Sequence, residues 1–75
     1  MKTTYQLQVY EFRYEVDRGT GILLIAAETE LEAKLESAMQ STGFGRWEYV
    51  GPVANLFYHG IDNAVVIVAD NRYAE

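Results

Sequence analysis

The sequence contains no cysteine among its 75 residues. Disulfides and thiolate metal sites are therefore excluded as braces for the fold. Proline and histidine each occur once. Basic residues are few, with 6 Lys and Arg against 11 Asp and Glu, a formal charge of −5 and a pI of about 4.7. Nonspecific binding to nucleic acid or to an anionic membrane needs a basic face, so the composition argues against both. No apolar run approaches the ~20 residues that span a bilayer. The opening residues Met1-Lys2-Thr3-Thr4-Tyr5 lack the apolar core of a signal peptide. A cytoplasmic location is the resulting expectation.

What is present is the material of a folded domain. Hydrophobic residues make up 49% of the chain, and six tyrosines, three phenylalanines and one tryptophan supply large side chains. The chain reads as one domain over 1–75. A domain of this size buries roughly 60% of the surface its unfolded chain exposes and is marginal alone. With disulfides and thiolate metals excluded, a partner subunit is the remaining brace.

Residues 5–16 read as a long first strand rich in Tyr, Val and Phe. Its alternation changes phase. Tyr5, Leu7 and Val9 share one parity, whereas Tyr10, Phe12, Tyr14 and Val16 share the other. Side chains of a regular strand alternate strictly. Either a bulge near Val9 and Tyr10 resets the phase, or the two halves bury opposite faces and carry the aromatics to a face without a helix. Asp17-Arg18-Gly19-Thr20-Gly21 reads as a turn of about five residues that joins this strand to 22–28 in a hairpin. Ile22 to Ala27 is apolar at both parities, which predicts a central strand.

Thr29 and Glu32 form a capping-box pattern at the start of a helix over 30–42. Leu31, Leu35, Ala38 and Met39 form its apolar stripe, the face that an amphipathic helix ordinarily turns to its core. Glu30 and Lys34 are placed for an i, i+4 ion pair. Gly43 suits the position just past the helix, and Phe44 is expected to fold back as a hydrophobic cap. Residues 46–58 read as a strand interrupted at Gly51-Pro52, because proline cannot donate to a ladder. His59 to Asn63 reads as a turn, 64–69 as a second doubly apolar strand, and 70–75 as a polar tail.

The order β-β-α-β-β predicts an α+β, two-layer domain: a mainly antiparallel four-stranded sheet with one helix packed on one face. One helix leaves the other sheet face bare. A homodimer, or another protein, is the expected cover; the alternative is that strand 5–16 coils over, or segment 52–58 packs underneath, and fills that face within one chain.

Candidate chemistry is sparse. His59 could serve as a base, since imidazole titrates near neutrality, but it sits in an expected exposed turn with no nucleophile in reach. Glu28, Glu32 and Glu36 make an acidic row. A carboxylate row can bind hard cations, yet one solvated helix face does not complete a coordination shell. Solubility, or an acidic stripe for a basic partner, is the expected role. The glycine pairs Gly19/Gly21 and Gly43/Gly45 do not precede a helix, as a phosphate loop must. Tyr10, Phe12, Tyr14, Trp47, Tyr49, Phe57 and Tyr58 could stack bases, but only Arg13, Arg18 and Arg46 lie near them and a basic groove is missing. They read instead as interface anchors or core.

The expected function is a small non-enzymatic protein-interaction module that self-associates through the sheet face not covered by the helix. One alternative is an acidic inhibitor or DNA mimic that binds a basic partner. Another is a small-molecule or enzymatic domain with its site at a dimer interface. No cofactor or metal is expected.

Overall fold

The computed structural model describes residues 3–16, 19–40 and 47–71. They form a four-stranded antiparallel sheet with one helix packed against it, the α+β two-layer fold expected from the sequence. The elements are β1 (Thr4–Val16), β2 (Gly19–Ala27), α1 (Glu30–Met39), β3 (Glu48–Ile61) and β4 (Val65–Asn71). The sheet order is β3-β1-β2-β4. The expected Phe44 cap, Gly43 beyond the helix and residues 72–75 lie outside the described residues.

β1 and β2 form the expected hairpin, but with a tighter connection. Val16 pairs with Gly19, so only Asp17 and Arg18 lie between paired residues. The β1–β2 register runs unbroken from Gln8↔Ala27 to Val16↔Gly19. No bulge resets the phase of β1 there. Both parities of the strand are buried, each on its own face. Tyr10 and Phe12 pack with Leu23, Ile25, Ala27, Ala33 and Trp47. Leu7 and Val9 pack with Ala26. The presence of Ala33 places the aromatics beneath the helix, which corrects the expectation that they lie on the uncovered face.

β2 is central, as its doubly apolar run implies. β4, apolar in the same way, is at the edge. The turn before it is shorter than expected, because His59, Gly60 and Ile61 continue β3. Asp62 closes the strand end: its N–H donates to the Thr3 carbonyl at 2.7 Å, and its carboxylate accepts from the Thr3 N–H at 2.9 Å.

β3 is the irregular edge. Gln8 pairs with Phe57 and Tyr10 with Pro52, so Val9 alone stands opposite Val53, Ala54, Asn55 and Leu56. The Gln8 side-chain amide holds this excursion by donating to the carbonyls of Val53 at 2.8 Å and Leu56 at 3.3 Å. Proline is tolerated here because an edge strand has one side without a ladder.

The helix begins as expected. Thr29 is its N-cap, and the Glu32 N–H donates to Thr29 Oγ1 at 3.2 Å. The return half of the capping box differs: the Glu32 carboxylate accepts from the Thr29 hydroxyl at 3.1 Å, not from its backbone. The helix ends at Met39 with Gln40 as C-cap, short of the expected 30–42.

Candidate functional site

α1 is turned the opposite way from the usual amphipathic helix. The residues it buries are Ala33 and Ser37. The stripe Leu31, Leu35 and Met39 points into solvent, with 66%, 59% and 76% of each residue exposed, and Ala38 is exposed beside it. At about 100° per residue, Leu35 lies some 200° from Ala33, so the buried and apolar faces are on opposite sides.

The rings beneath explain the inversion. Tyr10, Phe12 and Trp47 already fill the space between sheet and helix, with Tyr49 at the margin. Interiors pack to a fixed density, so only small side chains fit between these rings and the helix axis. Leucines in the same place would overfill it. Ser37 is the one buried polar side chain among the described residues, and its hydroxyl donates to the Lys34 carbonyl at 2.8 Å. The Trp47 indole N–H donates to the Gln40 carbonyl at 2.5 Å, which anchors the helix end.

One flank of the helix is tied to β3. The Tyr49 hydroxyl donates to the Glu30 carboxylate at 2.9 Å. Lys34 pairs with Glu30 at 2.9 Å, as the i, i+4 spacing predicts, and sits 4.7 Å above the Tyr49 ring. Lys34 and Tyr49 together hold the Glu30 carboxyl below its ordinary pKa. Partial burial, and then the Glu30 carboxylate, push the Tyr49 hydroxyl to about 12. The other flank carries Glu32 and Glu36, with the exposed Glu28 just ahead of the cap. The Glu36 carboxylate accepts from the Gln40 amide at 2.9 Å.

The seven aromatics picked out in the sequence do not form one surface. Tyr10, Phe12 and Trp47 are core residues, so within this chain they have no free face to offer a partner. Tyr49 is half-buried against Phe12 and Tyr10, with ring centroids 5.3 and 6.3 Å away. Phe57 and Tyr58 are exposed on β3. Tyr14 pairs with Gly21 along the backbone, and its side chain lies outside the described residues. His59 is exposed on β3, opposite Gln6.

The sheet face away from the helix carries no helix, yet its centre is closed. Leu7, Val9 and Ala26 are buried there, ringed by the partly buried Tyr5, Leu24, Val53 and Val66. The Arg13–Glu11 ion pair, at 2.6 Å, lies at one end of the same parity set.

The two edges differ in chemistry. β3 carries Pro52, Gly51 at φ +151°, Asn55 at φ +59° and two register shifts. β4 presents Val65-Val66-Ile67-Val68-Ala69, with no charge and no proline, and one register shift at Val68. No described strand pairs with its outer side. Ile67 and Val68 are 38% and 37% exposed.

Among the described residues, no helix is long and apolar enough to cross a membrane. No group of three or more His, Asp or Glu side chains there is placed to hold a metal ion. No family model, no curated protein and no solved structure matches this chain.

The inverted helix was half legible in the sequence. Its apolar stripe was evident, but the bulk competing for the same space comes from distant strands. The signal available was Ala33 with Ser37, a small-residue spacing opposite the leucines.

Proposed function

We propose that this chain is a small non-enzymatic protein-interaction module that self-associates through its sheet, edge to edge across β4. The observation that carries the reading is the contrast between the two sheet edges. An edge strand presents unpaired N–H and C=O groups, and proteins ordinarily blunt it with proline, charge or bulges. β3 is blunted by proline and two register shifts, whereas β4 from Val65 to Ala69 has neither proline nor charge and a single register shift, at Val68. Two copies of β4 can run antiparallel across a two-fold axis, the commonest symmetry of soluble oligomers. Centring the pair on Ile67 sets Val65 opposite Ala69 and Val66 opposite Val68, with no charge facing a like charge. The uncovered sheet face is the weaker surface for this contact, since Leu7, Val9 and Ala26 are already buried there.

Sedimentation equilibrium over a dilution series tests the reading. The expected result is a species of twice 8.5 kDa that shifts to monomer in Ile67→Lys and in Val68→Lys, with the circular dichroism spectrum retained. A monomer at every concentration overturns the reading, as does a dimer that both substitutions leave intact.

A further inference from the structure

We infer that the outward face of α1 is a docking site for a basic amphipathic helix of another protein. This goes beyond self-association and uses a different surface.

Leu31, Leu35 and Met39 are among the most exposed large apolar residues of the chain, and they stand in line on one helix. An apolar stripe that faces water beside a charged rim marks an interaction site. The stripe from Leu31 to Met39 is about 12 Å long at 1.5 Å per residue, which matches about two turns of a partner helix. Helix recognition of this kind uses apolar anchors spaced i, i+3, i+4 and i+7.

The rim identifies the partner's charge. Glu32 and Glu36, four residues apart, flank the stripe on one side, and the exposed Glu28 stands just ahead of the cap at that end of the helix. The one cation on α1, Lys34, is on the opposite flank, paired with Glu30 and stacked over Tyr49. It therefore does not offset the acidic row. A second copy of α1 laid on this stripe would bring two acidic helices together, and like charges across an interface oppose association. A helix with Lys or Arg beside its apolar anchors meets the row with opposite charge. Nucleic acid is excluded as occupant by the same acidity.

The contact is smaller than the ~800 Å² per partner of a standard interface, so binding is weak and reversible. The test uses two labelled synthetic 14-residue peptides, with leucines at i, i+3, i+4 and i+7. One carries lysine and the other glutamate at the remaining positions. Fluorescence anisotropy is measured against the full chain. The Leu/Lys peptide is expected to bind, and the Leu/Glu peptide to bind at least tenfold more weakly. Leu35→Glu should weaken the Leu/Lys peptide at least tenfold although it adds negative charge, which separates docking on the stripe from attraction to any acidic protein. The pair Glu32→Lys, Glu36→Lys should reverse the preference. Val68→Lys should leave peptide binding unchanged, so that failure of the β4 reading is scored separately. Leu35→Gln serves as the second variant should Leu35→Glu unfold. Equal binding of both peptides overturns the inference. So does binding that survives substitution of Leu35, or a dimer that Leu35→Glu dissociates.

Discussion

The Tyr49 hydroxyl donates to the Glu30 carboxylate at 2.9 Å and so joins the first turn of the helix to the edge strand β3, 19 residues along the chain. Lys34 completes the contact, one end paired with Glu30 and its charge over the Tyr49 ring.

This contact makes stability depend on pH at both ends. Glu30 has its pKa lowered by Lys34 and Tyr49, so its contribution is present above the ordinary carboxylate range and is lost as pH falls through its folded value. Tyr49 is shifted the other way, to about 12. Its contribution is full below about 10, the ordinary tyrosine value, and declines as pH rises from there toward 12. Thermal melts should show a shallower acid limb in Glu30→Gln than in the wild type. An ultraviolet titration should lose a tyrosine component that titrates near 12 in Tyr49→Phe.

Capping should have a measurable effect. Thr29→Ala removes the acceptor of the Glu32 N–H and should lower unfolding free energy by about 1 kcal/mol in urea titration. Thr29→Ser should restore most of it.

The inverted helix predicts an unusual pair of outcomes. Leu35→Ala, on the apolar stripe, should change stability by no more than about 0.5 kcal/mol, as an ordinary surface substitution does. Phe12→Ala, in the core beneath the helix, should cost about 3–5 kcal/mol, enough to unfold a marginal small domain at room temperature. Denaturant melts of the two variants side by side check this. A large loss in Leu35→Ala would place the stripe inside, against the sheet.

Gly60 is required by close approach. It is buried opposite Tyr5, and an added Cβ would collide with the backbone carbonyl of Asn63 and lie 3.1 Å from Leu7 Cδ1. Because the first obstacle is backbone, the β3–β4 turn must move. Gly60→Ala should therefore destabilise more than Gly51→Ala, whose Cβ meets open space although its φ of +151° is strained for a side chain. Thermal midpoints of the two variants give the comparison.

Local features were legible in the sequence where local physics decides them. The Thr29 cap needs only its own turn. The Glu30–Lys34 pair needs only helical spacing. The centrality of β2 follows from apolar residues at both parities. The four strands, one helix and their order follow from alternation and turn chemistry. The edge position of β4 was not legible, because Val65–Ala69 is as apolar as Ile22–Ala27. A strand's neighbours depend on pairing energies that a one-dimensional pattern does not carry. The aromatics could be recognised as important but not sorted into core and surface, since that depends on which ring reaches the helix first.

By itself, then, the sequence determined the element menu, the cap, the hairpin and the acidic, cysteine-free character of the chain, all of which arise from neighbours within a few residues. The tertiary structure alone decided which helix face looks inward, which strand is the open edge, and how β3 bends around Gln8. Those outcomes turn on volume and on hydrogen-bond competition between segments far apart in the chain. Tyr10, Phe12 and Trp47 occupy the space that Leu31 and Leu35 would otherwise fill, and that displacement leaves an apolar stripe on the outside of the molecule.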